Sequence, residues 1–440
     1  KSAAVSDSAA LDKIYSDVRD QEIMLSKIRE QLRLDPVWQL RQANEQIPPV
    51  PVLQKALDPS TALLSYHLAE TELLVLIITS GNFEYVRVPV SRSFFTDIDS
   101  LKYALQNTNA DERYSGTETA ISLYRQLISP VLPHLQQKKR LIIIPDDELN
   151  YLPFEALQDE RKNFLLEKFA IQYQFATSLI LPQGKPTVSP GLVAFAPFAK
   201  NGFTDSNTAE NFTVLPASAE ETVSLSGKVY TGEPASKQAF LQMANHFGIL
   251  HLATHAKVDN EDPSRSFIAF YPGTPDYKLF AREIYDLHLD SIQLIILSAC
   301  ETGAGQLVKG EGLMSLSRAF TYAGCPNIIT SLWKAEDKAT AFITRRLHEY
   351  LQQKYTRDEA LQAAKLDLLR NAELDPRYRS PRFWAHLIYI GNYESERQGR
   401  NWWSIALAII GGGLVYQAAK HLKRKKTQEK KKKKMPATVN

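Results

Sequence analysis

Two side chains with nucleophile and base chemistry stand at matching places in the sequence. Ile249–Leu252 is a short apolar run followed by Ala253, Thr254 and His255, and Leu294–Leu297 is another followed by Ser298, Ala299 and Cys300. The histidine and the cysteine are 45 residues apart. A thiol attacks as its thiolate and needs a base to reach that form; an imidazole across the mouth of a sheet supplies one. Backbone N–H groups of Cys300 and Ala256, just past the two runs, are placed to hold an oxyanion on an attacked carbonyl. An isolated core cysteine is usually a small hydrophobe, and an isolated histidine is usually a hydrogen-bonded structural group, so spacing alone leaves both roles open.

The elements that must carry these residues follow from the pattern of apolar runs. Thr61–Leu68, Glu72–Thr79 and Phe83–Pro89 are rich in Leu, Val, Ile and Tyr, with Ser80-Gly81-Asn82 between the last two reading as a hairpin turn. A helix over 117–137 precedes Arg140-Leu-Ile-Ile-Ile-Pro145, a run of the kind buried on both faces of a parallel sheet. Similar runs recur at 191–195, 249–252, 294–297 and 327–331, with helical segments at 217–227, 235–246, 311–323 and 335–354. This alternation predicts an α/β fold: a mainly parallel sheet with helices on both faces. Ligands in such sheets bind past the carboxyl ends of the strands, where His255 and Cys300 stand.

The two ends of the chain read differently. Residues 1–50 read as a helical segment, with Leu11, Ile14, Val18, Ile23, Leu25, Ile28 and Leu32 at three- to four-residue spacing, closed by the stiff Ile47-Pro-Pro-Val-Pro51 linker. The segment has the character of the last piece of a helical array and offers a handle for a regulatory protein. Residues 402–419 hold no charge, carry Trp402, Trp403 and Tyr416 near their ends, and read as a transmembrane helix at the short end of the spanning range. A buried C-terminal helix is the weaker alternative, because a Lys-rich tail follows directly. That tail, residues 420–440, carries ten bases and one acid. The whole chain has 52 bases and 49 acids, so the body without the tail has 42 against 48. A body that is net acidic gives no reason to expect nucleic-acid binding; the basic charge fits a lipid surface instead.

Two cysteines, Cys300 and Cys325, make neither a disulfide framework nor a zinc ribbon, and the histidines form no cluster at metal-ligand spacing. The sequence therefore calls for no metal or cofactor. It also lacks a G-x-S-x-G elbow and a G-x-x-x-x-G-K-[ST] phosphate loop, and Gly303-Ala-Gly305 lacks the third glycine of a dinucleotide fingerprint. Cys325, ahead of a strand at its amino end, reads as packing, and Trp384 as a core anchor.

Seven ordered blocks carry a resemblance over roughly residues 60–393. They are Ile144-Pro-Asp-Asp-Glu-Leu-Asn-Tyr-Leu-Pro-Phe-Glu-Ala-Leu157, Leu215-Pro-Ala-Ser-Ala-Glu-Glu221, Leu250-His-Leu-Ala-Thr-His255, Ala281-Arg-Glu-Ile-Tyr-Asp286, Leu297-Ser-Ala-Cys-Glu-Thr-Gly303, Gly310-Glu-Gly-Leu313 and Ser331-Leu-Trp333. With these the chain resembles the CHAT family of caspase-like cysteine peptidases, often found behind TPR repeats and related to caspases and separase. The resemblance implies Cys300 as nucleophile and His255 as general base, and the spacing of histidine before cysteine fits that expectation. Ala256 stands where the family often has Gly; alanine still offers its N–H, with less backbone freedom.

Substrate contacts are expected from four more residues. In caspase relatives a residue just past the first core strand helps set the P1 pocket, and here Asp146 and Asp147 follow Ile144-Pro145. An acidic floor would favour Lys or Arg at P1, with Asp146 the stronger candidate; the same aspartates would equally cap the turn into Leu149–Leu157. Trp333 would wall the cleft or pad the sheet edge, and Glu301 would bind substrate backbone or hold its loop.

The expected organisation is a helical segment and linker over 1–50, a degenerate caspase-like half over 60–138, a catalytic domain over 139–395, a membrane span over 402–419 and the tail. The tail stays cytoplasmic under the positive-inside rule, which puts the catalytic body on the opposite side of the membrane. A cytoplasmic body with a helix dipping into the membrane is the alternative. A chain that opens on Lys1 rather than Met reads as a fragment or a processed product. The function expected is a membrane-anchored cysteine endopeptidase acting on protein or peptide. Its rivals are an inactive caspase-fold scaffold and a cysteine hydrolase of a non-peptide substrate.

Overall fold

The computed structural model describes residues 18–19, 23–24, 47–106, 114–181, 190–206, 208, 210–223, 227–259, 262–298, 312–333 and 336–395. Helix α1 (Val50–Ala56) opens the continuous part, started by Pro49 and Pro51 where a missing N–H costs nothing. Strands β1 (Thr61–Leu68), β2 (Glu72–Thr79) and β3 (Phe83–Pro89) form a meander, and the hairpin expected at 80–82 closes with Ile78 opposite Phe83. Helices α2 (Arg92–Gln106) and α3 (Thr117–Leu127) follow, then β4 (Arg140–Ile144) and β5 (Ala170–Tyr173). The helix expected over 117–137 stops at Leu127, because Pro130 and Pro133 cannot donate backbone hydrogen bonds; Ser129–Leu135 winds as 3₁₀ turns instead.

The second half begins with β6 (Leu192–Ala196), the short ribbon β7 (Phe203–Thr204) and β8 (Asn211–Phe212), α4 (Pro216–Val223), β9 (Lys228–Thr231) and α5 (Lys237–Met243). It continues with β10 (Ile249–Leu252), the small sheet β11 (Ala256–Lys257), β12 (Phe267–Ala269) and β13 (Lys278–Phe280), then α6 (Ala281–Tyr285) and β14 (Leu294–Leu297). Last come α7 (Gly312–Tyr322), β15 (Asn327–Ser331), α8 (Asp337–Gln352), α9 (Arg357–Arg370) and β16 (Leu387–Gly391).

Among the described residues eleven strands make one sheet in the order β3-β2-β1-β4-β5-β16-β15-β14-β10-β6-β9. It is mainly parallel with helices on both faces, as the alternation predicts, but its two halves run in opposite directions. Strands β1, β4, β5 and β16 are mutually parallel, and so are β15, β14, β10, β6 and β9. The two blocks meet antiparallel at β15 and β16. The carboxyl ends of β4 and of β10 therefore lie at opposite edges of the sheet. An apolar run buried on both faces carries no mark of its direction, which is why the sequence reading gave all these strands one common edge.

Each strand of the second half sorts its side chains by period two. Leu250, Leu252, Ile295, Leu297 and Ile328 face a core closed by Phe240, Ile284, Leu316 and Phe320 of α5, α6 and α7. Ile296 and Ile329 join the opposite core with Ile343 and Leu347 of α8. In the first half Arg140, 1% exposed, sits in β4 with Asp358 of α9 against it: Nε to Oδ2 at 2.6 Å and Nη2 to Oδ1 at 2.9 Å. Asp58 lies 3.5 Å from the same guanidinium, so a fully enclosed cation has two carboxylates.

One joint within the first block is narrow. Between β5 and β16 the ladder has one register pair, Tyr173 with Ile390. Beside it the side-chain amides of Gln172 and Gln174 both donate to the carbonyl of Gly391 at 3.0 Å. Residues 394–440 form a second unit, of which 394 and 395 are described. Among the described residues no helix is long and apolar enough to cross a membrane; the span expected at 402–419 and the Lys-rich tail lie outside them. So does the helical segment expected before residue 47, apart from residues 18, 19, 23 and 24, which are helical and exposed.

Candidate functional site

Strands β10 and β14 are parallel neighbours in register, with Leu252 opposite Leu297. His255 stands three residues past Leu252 and Cys300 three residues past Leu297. The register sets the carboxyl ends of β10 and β14 side by side at one edge of the sheet, about 4.8 Å apart, with His255 just past the first. The chain is tied there by Ser298, whose N–H donates to the Leu252 carbonyl at 3.1 Å. Cys300 and Glu301 lie outside the described residues.

His255 is held on several sides and is 2% exposed. Its Nε2 lies 2.7 Å from the carbonyl of Thr213. A carbonyl only accepts, so the ring proton sits on Nε2 and Nδ1 is the basic nitrogen. The ring packs edge-on against Phe198 at 4.9 Å between centroids and lies 5.6 Å from Phe212. Its own carbonyl accepts from Ala269 N–H at 2.8 Å, and the Thr254 hydroxyl donates to the Ala269 carbonyl at 2.5 Å. The small sheet thus clamps the turn that presents the imidazole. Ala256 is buried in β11 opposite Ile268, next to the histidine as the sequence requires.

The acidic candidates are not brought to this place. Asp146 follows β4, five strands from β10, which is roughly 24 Å at ordinary strand spacing and at the opposite edge. Its Oδ2 accepts the backbone N–H of Leu68 at 2.9 Å, tying the ends of β1 and β4 together; it makes no side-chain cap on the 3₁₀ turn that follows. Asp147 takes a positive φ of 46° at the start of that turn. Both aspartates finish the wrong half of the sheet for a P1 pocket. The strand beside β10 is β6, and the residues just past it include Phe198, which touches His255.

Trp333 is on the correct edge, two residues past β15, but it is 2% exposed and its indole N–H donates to the Arg382 carbonyl at 3.1 Å. It fills the core between β15 and the turn before β16 and does not wall an open cleft. Cys325 is fully buried at the far end of β15, where burial pushes its thiol up to about 12. Trp384 is fully buried, edge-on to Phe164 at 4.9 Å, as a core anchor should be. Among the described residues no group of three or more His, Cys, Asp or Glu could hold a metal ion.

Thr213, Phe198 and Phe212 were not found from the sequence. Phe198 was within reach of the rule that residues just past an apolar run deserve inspection, had it been applied to 191–195. Thr213 acts through its backbone carbonyl, which no residue type announces.

A family model for the CHAT domain matches residues 117–392. Tetratricopeptide repeat protein 28 of Mus musculus is 22% identical over 326 residues, covering 62% of this chain and 13% of that protein. The chain thus spans about an eighth of that relative's length. The crystal structure of an Arg-specific cysteine proteinase, gingipain R, aligns over 69% of this chain and 75% of its own, with a TM-score of 0.38 and 10% identity. The family match takes in β4 to β16, the strand ends of the site and the helices around them, and the chain belongs to the CHAT domain family.

Proposed function

We propose that the chain is a membrane-anchored, caspase-like cysteine endopeptidase with Cys300 as nucleophile and His255 as general base. The observation that carries this reading is the equal offset of the two residues beyond a register pair, with the imidazole fixed by the Thr213 carbonyl. Nδ1 of His255 takes the proton of the Cys300 thiol, and the thiolate adds to the scissile carbonyl carbon. The oxyanion is held by the N–H groups of Cys300 and Ala256. The C–N bond then breaks, the leaving amine takes the proton from His255, and an acyl-enzyme remains. His255 next takes a proton from water, hydroxide adds to the thioester, and the acid product leaves as the thiol is restored.

The acidic P1 floor has no support from the position of Asp146 and Asp147, so the reading carries no P1 preference. The uncharged segment 402–419 would anchor the chain, with the Lys-rich tail cytoplasmic and gripping anionic lipid, and the body on the other side. The helical segment before residue 47 would receive a regulatory protein, a role in keeping with the TPR relative.

The test uses full-length chain in detergent beside Cys300→Ala and His255→Ala, a peptide library varied at P1, and an acyloxymethyl ketone probe. Cleavage and labelling that vanish together in Cys300→Ala are expected, with a loss of at least a hundredfold in His255→Ala. Cleavage that survives Cys300→Ala would end the reading. Topology is read by adding protease to intact cells; a body left uncut would place it on the cytoplasmic side.

A further inference from the structure

Three of the seven landmark blocks meet in a buried cluster that the proposed chemistry does not use. Glu221 of α4, His251 of β10 and Ser298 after β14 come from separate blocks, and His348 and Thr344 of α8 complete the group. Glu221 is 4% exposed, His251 and Thr344 are fully enclosed, and His348 is 5% exposed. Glu221 Oε1 accepts from the Thr344 hydroxyl at 2.6 Å and lies 3.2 Å from His251 Nε2. His251 Nδ1 is 3.2 Å from His348 Nε2, and His251 Nε2 is 3.1 Å from the Ser298 hydroxyl.

The chemistry of these atoms fixes much of the arrangement. An enclosed carboxylate persists when its oxygens are hydrogen-bonded, and a carboxylate only accepts, so the proton between Glu221 and His251 sits on His251 Nε2. His348 stays neutral: burial first, then repulsion from His251, brings it down to about 3. The result is an imidazole on β10 held by two helices, its one Nε2–H shared between Glu221 and the Ser298 hydroxyl oxygen, which accepts at 3.1 Å. Ser298 is also bound to β10 through its backbone N–H, and it lies two residues ahead of Cys300. His251 lies four residues ahead of His255 on the same strand.

We propose that Glu221, His251 and Ser298 are positioning residues that hold the strand ends bearing His255 and Cys300 in mutual register. The proposal rests on the reading of Cys300 as nucleophile. Loss of an anchor that lets a reacting group drift by about 1 Å costs on the order of a hundredfold in rate. The side chains of the cluster touch no substrate; they act through the strands.

The experiment uses full-length chain in detergent carrying Ser298→Ala, Ser298→Thr or Glu221→Gln. It records kcat and KM separately, the pH profile of Cys300 alkylation by iodoacetamide, and the melting temperature. Ser298→Ala and Glu221→Gln are expected to lower kcat by roughly ten- to a hundredfold with KM within about twofold, and to move the pH midpoint of alkylation. Ser298→Thr, which keeps the hydroxyl, is expected to restore most of both. If the folded Ser298→Ala and Glu221→Gln proteins keep kcat and the alkylation profile within twofold of wild type, the positioning role is overturned while the peptidase reading stands. If wild type alkylates at Cys300 but cleaves no peptide, the peptidase reading falls and the shift of the alkylation profile still decides the positioning role. If Cys300 of wild type alkylates no faster than buried Cys325, both fall.

Discussion

Replacing Cys300 by alanine leaves Cys325 as the chain's single thiol. That thiol has no exposed surface, contacts the Asn327 carbonyl at 3.3 Å, and is pushed up to about 12 by burial. At pH 7.5 about 3 in 100,000 such thiols are ionised, against roughly one in ten for a free cysteine near 8.5, a ratio of about 3,000 before any steric barrier. The assay is mass-spectrometric detection of carbamidomethylation in native Cys300→Ala protein at pH 7.5, with glutathione as rate reference and a parallel sample in urea. Native incorporation should run at least a thousandfold below glutathione, while the urea sample should label fully. If alkylation proceeds by direct attack, raising the pH to 9.5 should speed it by about a hundredfold. Native labelling within tenfold of glutathione would refute the burial argument and with it the use of thiol probes as reporters of Cys300 alone.

Asp358→Ala strands the Arg140 guanidinium in the core beside Asp58, and should cost about 3–5 kcal/mol in urea unfolding. Arg140→Met with Asp358→Leu replaces both charges by apolar volume and should recover most of that loss; a double variant no more stable than Asp358→Ala would contradict it. Acid sensitivity should follow His348 and His386, both held down to about 3 by burial, with His251 and Lys365 adding repulsion. The unfolded chain binds their protons below about 6.5 and the folded chain does not until about 3, so stability falls as pH drops through that window. At pH 5.5 each costs on the order of 1 kcal/mol of stability relative to neutral pH, and His386→Gln should shrink the difference between urea curves at pH 7.5 and 5.5 by about that much.

The strands of the site were legible because buried parallel strands announce themselves. Leu294–Leu297 is an unbroken apolar run, Ile249–Leu252 is broken by His251 alone, and Asn327–Ser331 is built on Ile328-Ile329; the bounds of all three in the fold are those read from the sequence. Strands without an aliphatic pair were not: β5 reads Ala-Ile-Gln-Tyr and β9 reads Lys-Val-Tyr-Thr, neither with two adjacent Leu, Ile or Val residues. Helix α9 also escaped, although Thr356 and Glu359 form the capping box that marks its start. Strand direction is the deeper loss. Nothing local distinguishes Arg140–Ile144 from Leu192–Ala196, yet one ends at the edge away from His255 and the other ends beside it. The resemblance sets the P1 pocket just past the first core strand, and reading that strand as Arg140–Ile144 points to Asp146, whereas the strand paired with β10 on the side away from β14 is β6.

The seam between β5 and β16 makes the eleven strands two plates rather than one. A sheet resists shear through its rows of main-chain hydrogen bonds, and here the row shrinks to one register pair with two glutamine amides on a single carbonyl. What spans the joint is helical: α9 packs across both β5 and β16. Under mechanical load, or in hydrogen exchange, the amides along this line should open before those in the interior of either plate. Each plate can then tolerate changes of twist that a continuous ladder would pass straight across to the other.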